Sequence, residues 1–238
     1  MRIDIWSDVV CPWCFIGKRR LETALSHFEH ADDVEIVWHS FQLDPGAPTT
    51  PVETVAEALG RKYGGGPEGG KTMIDRVEAV AAEEGMLWRH HQSKRVGTMD
   101  AHRLMHLALH EGGPETQGRV KEALLSAYFI DARNVADHSE LKDIVTGAGL
   151  DAEAVDRVLG STEYADEVWA DIEKAQAFGA TGVPFFVVDN KFGISGAQPV
   201  EAFGQVLERA WSESHPVVEM LAGGGASGDA CGPDGCAI

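Results

Sequence analysis

Cys11 and Cys14 stand three residues apart in the stretch "DVVCPWCFIG", with Pro12 and Trp13 between them. Two thiols at this spacing can close into a disulfide and reopen, or they can supply half of a metal site. Only the thiolate attacks a disulfide, and a free thiol with a pKa of about 8.5 is mostly protonated at neutral pH. The local sequence favours ionisation. Pro12 suits the first turn of a helix, where its missing N–H has no partner to lose. Cys11 is therefore predicted at a helix N-terminus, where unpaired N–H groups and the dipole favour negative charge. Cys14 follows one turn later, within reach of a hydrogen bond to the Cys11 sulfur. This predicts Cys11 as an exposed attacking thiolate and Cys14, deeper in the turn, as the thiol that resolves a mixed disulfide. Asp8 precedes Cys11 by three residues. Two roles are open to it: relaying protons to Cys14 from a buried position, or accepting bonds from nearby backbone N–H groups.

A second pair, Cys231 and Cys236, flanks Gly232-Pro233-Asp234-Gly235, a sequence suited to a β-turn. Such a turn brings its flanking residues to the Cα separation of about 4.4–6.8 Å that a disulfide needs. Closing so small a ring would stabilise a fold by about 2 kcal/mol at most. A redox role is the alternative. From Pro216 to Cys231 the chain has an r.m.s. reach of about 21 Å if flexible, against a radius of gyration of about 18 Å for a compact chain of this length. Cys231 and Cys236 are thus read as an auxiliary couple for Cys11–Cys14, with an idle exposed disulfide as the competing reading. One zinc ion on all four thiols is a third reading, but Pro12 and Trp13 suit a redox loop better, and no metal site is expected.

The histidines give less. His102, His106 and His110 repeat every four residues, a spacing that can hold a metal, yet no matching acidic motif accompanies them. Partly buried helix histidines are the simpler reading. His39 and the pair His90–His91 show no constellation. Trp13 either seats apolar substrate segments or packs on neighbouring helices.

The elements that must position these residues follow from periodicity. "RIDIW" alternates as a strand does, and "WCFIGKRRLETALSHF" carries Leu21, Leu25 and Phe28 on one helical face. "VEIVWHSF" reads as a second strand. Residues 51–160 read as short helices punctuated by Gly and Pro, among them "GTMDAHRLMHLALHEG" and "ETQGRVKEALLSAYFI". "EYADEVWADIEKAQAFGA" is a longer helix. "VPFFVVD" and "KFGISG" form a hairpin about Asp189-Asn190, and "PVEAFGQVLERAW" closes as a helix. The order is an α/β fold interrupted by an all-helical insertion. Its expected bounds are 1–48 and 163–216 for the α/β part, 49–162 for the insertion and 217–238 for a flexible Gly-rich tail. Neither α/β half has enough strands for a stable sheet alone.

Of 238 residues, 38 are acidic and 20 are Lys or Arg, a formal charge of −18. Nucleic acid and anionic membrane surfaces would repel such a chain and are not expected as partners. "MRIDIWSDVV" lacks the apolar run of an export signal, and four cysteines are too few for a secreted disulfide framework. A cytoplasmic protein is expected.

Taken together, "SDVVCPWCFIG", "GVPFFVVD" and "SGAQP" resemble the DsbA-type thioredoxin superfamily. The likeness is greatest to its FrnE-like branch, which groups with 2-hydroxychromene-2-carboxylate isomerases and kappa-class glutathione transferases. "DAHRLMHLA" and "RNVADHSELKDI" resemble the helical part of that branch, so the likeness spans about residues 2 to 213. It implies a thioredoxin-like fold with Cys11, Cys14 and Pro184 at the active site. Val183–Pro184 would be the cis-proline loop that precedes a strand and faces the active-site helix. It also makes His102 and Arg103 candidates for the cleft between sheet and helices. The isomerases and transferases generally carry Ser where Cys11 stands, so the complete Cys-x-x-Cys argues for thiol–disulfide exchange. The expected activity is that of a protein disulfide oxidoreductase acting on protein or small-molecule thiols and disulfides. No metal or organic cofactor is implied, and glutathione is the candidate co-substrate. Two other readings stay open. One is a glutathione-dependent isomerase or transferase acting on a small aromatic or polyketide-like molecule. The other is a non-enzymatic, chaperone-like binding module that uses the cleft around Trp13.

Overall fold

The computed structural model describes residues 1–216, so Cys231 and Cys236 lie outside the described residues. Strand β1 (Arg2–Ser7) sends Ile3 and Ile5 to one face of a sheet and Asp4 and Trp6 to the other, as its alternation predicts. β2 (Glu35–Ser40) runs parallel to β1, while β3 (Phe185–Val188) and β4 (Phe192–Ser195) are antiparallel additions, in the order β2-β1-β3-β4. The β3–β4 hairpin turns at the predicted dipeptide. Asp189 and Asn190 take φ of 49° and 54°, and the Lys191 N–H donates to Val188 at 2.9 Å. Two consecutive positive φ values belong to a type I′ turn, whose twist matches that of the strands.

Helices α1 (Pro12–Ser26) and α8 (Val200–Ser214) cover the Ile3 face, where Leu21, Phe186, Phe203 and Leu207 close around it. On the other face Trp6 and Val187 pack with Ala175 of α7 (Ala165–Ala177). Between β2 and α7 come α2 (Val55–Tyr63), α3 (Gly66–Glu83), α4 (Met99–Phe129), α5 (His138–Gly147) and α6 (Ala152–Leu159). α2 opens with a capping box between Thr54 and Glu57.

α4 comprises the two helices that the sequence predicts, which fold back on each other so that the Gln117 amide donates to the Met105 carbonyl at 3.4 Å. The chain reverses at the expected boundary: Gly113 leaves the helical region (φ 69°, ψ −172°) and Pro114 starts the second helix. The first half carries His102 and His106, and the second carries Gln117 and Lys121. Gln117 finishes the exposed edge of β2. Its amide takes the Trp38 N–H at 2.9 Å and donates to the Trp38 carbonyl at 2.8 Å, standing in for a missing strand.

One hydrophobic core links sheet and helices, from Ile3 and Ile5 through Phe15 and Ile16 to Leu104, Leu124 and Phe129. Phe15, one residue after Cys14, stacks on Trp88 at 5.8 Å and lies 6.0 Å from Phe129. The start of α1 is thereby fixed where the sheet meets the helical block. No described helix is long and apolar enough to cross a membrane.

Candidate active site

Cys11 is the N-cap of α1, in extended conformation (φ −90°, ψ 114°), and Pro12 is the first helical residue, as the sequence predicts. The Cys14 N–H donates to the Cys11 carbonyl at 3.1 Å, so the two side chains share the first turn. Both thiols are free. Facing them, the Val183–Pro184 peptide bond is cis, and the Cys11 thiol donates to the Val183 carbonyl at 3.6 Å. Gly17 permits this approach. A Cβ there would lie 3.1 Å from Pro184 Cγ and 3.2 Å from the Phe186 ring, tighter than packed atoms accept.

Cys11 is not the exposed thiol that its position in the sequence predicts. Its exposure is 3% and that of Cys14 is 1%, because the 183–184 loop closes over a sulfur that the helix alone would leave open. The distribution of charge also differs from the expectation. The hydrogen bond that the Cys11 thiol gives to Cys14, together with burial, raises Cys11 well above its ordinary value. Burial opposes ionisation of Cys14 too, but the Cys11 hydrogen bond, the Lys121 charge and the Ser7 hydroxyl outweigh it and hold Cys14 low. The pair is therefore polarised toward the inner sulfur: the Cys11 hydrogen bond and then the Lys121 charge favour the thiolate at Cys14 rather than at Cys11.

Lys121 is the residue that sequence reading missed. It comes from the second half of α4 and is 1% exposed. Its ammonium lies 5.4 Å over the Trp38 ring, and among the described residues it forms no carboxylate ion pair. Burial pushes its pKa down to about 8 against the upward pull of Cys14, Asp8 and Cys11. A signal was present, since Gln117, Lys121, Leu124 and Tyr128 repeat at helical spacing and all four are buried. A lysine inside such a stripe has a charge to serve.

Asp8 is buried at the end of β1. It accepts the Leu43 N–H at 2.8 Å and faces His102 Nε2 at 3.3 Å. Burial alone would raise its carboxyl, but the His102 hydrogen bond and charge and the Leu43 N–H keep it below its ordinary value. Asp8 is thus ionised, which fits the backbone-accepting role better than that of a proton-carrying acid. Arg103 does not reach the dithiol. Its guanidinium donates to the carbonyls of Val158, Ser161 and Glu163 and to Asp100, clamping α4 to the segment that follows α6. Trp13, 44% exposed, stands at the surface beside the buried sulfurs.

A second buried cluster also escaped the sequence reading, which saw no constellation about His39. His39 bridges Asp4 of β1 and Asp171 of α7, each at 2.6 Å. Asp171 also accepts the Ser40 N–H at 2.8 Å and lies 3.0 Å from His106. Trp6 stacks on the His39 ring at 4.5 Å. Among the described residues, no group of three or more His, Cys, Asp or Glu is placed to hold a metal.

Residues 2–208 match the DSBA-like thioredoxin domain family. The fold superposes on the crystal structure of a probable DsbA oxidoreductase from Streptomyces coelicolor with a TM-score of 0.84 and 45% identity, over 100% of this chain and 99% of that one. A cytosolic disulfide reductase, DsbM from Pseudomonas aeruginosa, solved with glutathione, shares the fold at TM-score 0.60 and 16% identity, over 89% of this chain and 99% of its own. A 2-hydroxychromene-2-carboxylate isomerase does so at 0.64 and 12%, over 90% and 98%. The chain belongs to the DSBA-like thioredoxin domain family, that of thiol–disulfide oxidoreductases.

Proposed function

We infer that this chain exchanges disulfides through Cys11 and Cys14, in the manner of the FrnE-like branch. The observation that carries the reading is two free thiols in the first turn of α1, the outer one 3.6 Å from the carbonyl that precedes a cis proline. In the reductive direction the shared proton passes to Cys14, and the Cys11 thiolate attacks one sulfur of a substrate disulfide. A mixed disulfide forms and one substrate thiolate leaves. That thiolate takes the proton from Cys14, and the Cys14 thiolate so formed attacks Cys11 Sγ, releasing the second substrate thiolate and closing Cys11–Cys14. The substrate gains two electrons and the protein loses two, so a dithiol or two molecules of a monothiol must re-reduce it. Glutathione is the candidate monothiol in a cytoplasmic setting, and DsbM, of the same fold, was solved with it. Pro184 and Val183 offer backbone to the incoming chain, and Lys121 supports the charge that develops on Cys14 in the resolving step. No metal or organic cofactor enters these steps.

Cys231 and Cys236 fit a relay that draws electrons from, or returns them to, Cys11–Cys14. A Cys231→Ser, Cys236→Ser double variant that turns over protein disulfides unchanged at every redox poise overturns that part. The core reading is tested by turnover of a protein disulfide. Cys11→Ser is expected to be inactive, and Cys14→Ser to accumulate a mixed disulfide on Cys11. Glutathione-dependent conversion of a small molecule that survives Cys14→Ser contradicts it in favour of the isomerase or transferase chemistry. Suppressed aggregation of client proteins that survives Cys11→Ser, without exchange, favours the binding module.

A further inference from the structure

A groove of about 650 Å³ lies over β2, between α1 and the second helix of α4. Val34, Ile36 and Trp38, alternate residues that share one face of the sheet, form its apolar floor with Leu21 of α1 and Pro114 of α4. Its lining includes neither cysteine nor Pro184. Gly118 belongs to the α4 wall, and a Cβ added there would meet no atom within 4 Å. Glycine loosens a helix interior relative to alanine. No close packing within the protein asks for it at this position, and its missing side chain keeps the groove open.

Beside the floor, the sheet has an unfinished edge. The Glu35 N–H turns inward to the Met1 carbonyl at 2.9 Å, whereas the Trp38 N–H turns outward to Gln117. Ile36, two residues before Trp38, therefore faces outward as well. Gln117 pairs this edge at Trp38 and Asp171 pairs it at Ser40, but nothing among the described residues pairs it at Ile36. A free edge is a template for an extended chain, and a chain laid along it puts every second side chain on the floor's face of the sheet.

The rim sets the charge of that chain. Glu22, Glu35, Glu115 and Glu122 line the groove against Lys18 and Arg119. Lys18 is held by Glu22 and Glu122. Glu35 and Glu115 keep long, exposed pairs, with Arg2 at 3.4 Å and with Arg119 at 3.2 Å, and such pairs are weak. Two other occupants share the sign of the rim. A second copy would set these glutamates against their own image, and residues 217–238 carry Glu219, Asp229 and Asp234 with no Lys or Arg.

We propose that this groove docks an extended, basic segment of a protein partner. The segment runs along the β2 edge, with apolar side chains toward Ile36 and Trp38 and with Lys or Arg beside Glu35 and Glu115. The proposal stands apart from the disulfide-exchange reading, since the groove contains none of the reacting atoms.

The test is calorimetric binding of a short peptide alternating Val and Lys, beside its Val and Glu counterpart. The Lys peptide is expected to bind, and the Glu peptide to bind about tenfold more weakly or less, the scale of two exposed ion pairs. Glu35→Lys combined with Glu115→Lys is expected to cancel or reverse that preference. Gly118→Phe, whose ring fills the groove, is expected to weaken binding by more than about tenfold, while turnover of a small disulfide stays at the wild-type rate. Hydrogen exchange at the Ile36 amide should slow in the complex. Should Gly118→Phe fail to fold, the two surface reversals and the Ile36 amide still decide. No binding, equal binding of the two peptides, a preference untouched by the reversals or an Ile36 amide that exchanges at its free rate overturns the proposal. So does a wild-type dimer that Gly118→Phe makes monomeric, which would assign the groove to a second copy. Peptide binding that appears only after removal of residues 217–238 also overturns it, because the chain's own tail would then be the occupant.

Discussion

Two buried clusters of charge share strand β1, and they differ in how completely their members are paired. At the start of the strand, Asp4 and Asp171 enclose His39, and Ser40 and His106 satisfy the remaining oxygens of Asp171. At its end, Ser7 and Asp8 adjoin two thiols polarised toward Cys14 and a lysine that forms no carboxylate ion pair among the described residues. The first cluster joins β1, β2, α4 and α7 and leaves nothing free to react. The second stays short of partners, and a substrate disulfide can supply what is lacking. Saturated buried charge holds the fold together, whereas buried charge left partly paired is available for chemistry.

The comparison breaks most readily at Asp171. Asp171→Ala leaves His39 facing Asp4 alone and frees the Ser40 N–H, and is expected to cost about 3–5 kcal/mol in denaturant unfolding. The alkylation rate of the folded protein's thiols should stay unchanged. A large change in that rate would show that the two clusters act as one.

Lys121→Met should do the reverse. Removing the positive charge lets burial raise Cys14, and alkylation of the dithiol near pH 7 is expected to slow about tenfold. Unfolding free energy should hold or rise, since a buried charge has been replaced by an apolar chain of similar length. Next comes Gly17→Ala. The added Cβ meets Pro184 at 3.1 Å, so the loop must shift, at about 1 kcal/mol in stability and about a threefold loss in peptide exchange. Those two losses, measured together, sharpen the view that α1 and the Pro184 loop work as one surface.

The smallest expected effect is a pH profile. His39 has a folded pKa above its ordinary 6.5, because its hydrogen bonds to Asp171 and Asp4 outweigh burial. Its contribution to stability is complete below about pH 6.5 and is lost as pH rises through the folded value. Asp4 is held at about 2 against burial by His39 and Arg2, so its contribution is complete above about pH 4 and is lost as pH falls toward 2. Stability should therefore be greatest between about pH 4 and 6.5. A His39→Gln variant should lose the alkaline side of that dependence, which equilibrium unfolding across pH would reveal.

Local signals were legible in the sequence. Pro12 after Cys11 marks a helix start, Asp189-Asn190 marks a hairpin, and Gly113-Pro114 marks the turn between the two helices of α4. Pro184 was found by resemblance, because periodicity cannot reveal a cis bond. Effects that cross the chain were not legible. Burial of Cys11 comes from a loop more than 170 residues away in sequence. The Asp4–His39–Asp171 bridge joins three elements whose spacing carries no period. Arg103 was assigned by its family-like surroundings, but the direction of its side chain depends on where the segment after α6 ends. Lys121 lay in a readable buried stripe, but what a buried lysine serves depends on which element packs against it.

The central claim is that Cys11 and Cys14 form a reversible redox couple. The fraction of Cys11–Cys14 disulfide, measured across glutathione buffers in the Cys231→Ser, Cys236→Ser background, tests it most directly. The account predicts a reversible two-electron transition, with a tenfold change in the ratio of oxidised to reduced protein for every ~30 mV. A stable glutathione adduct on Cys11, with no intramolecular disulfide at any poise, would contradict it.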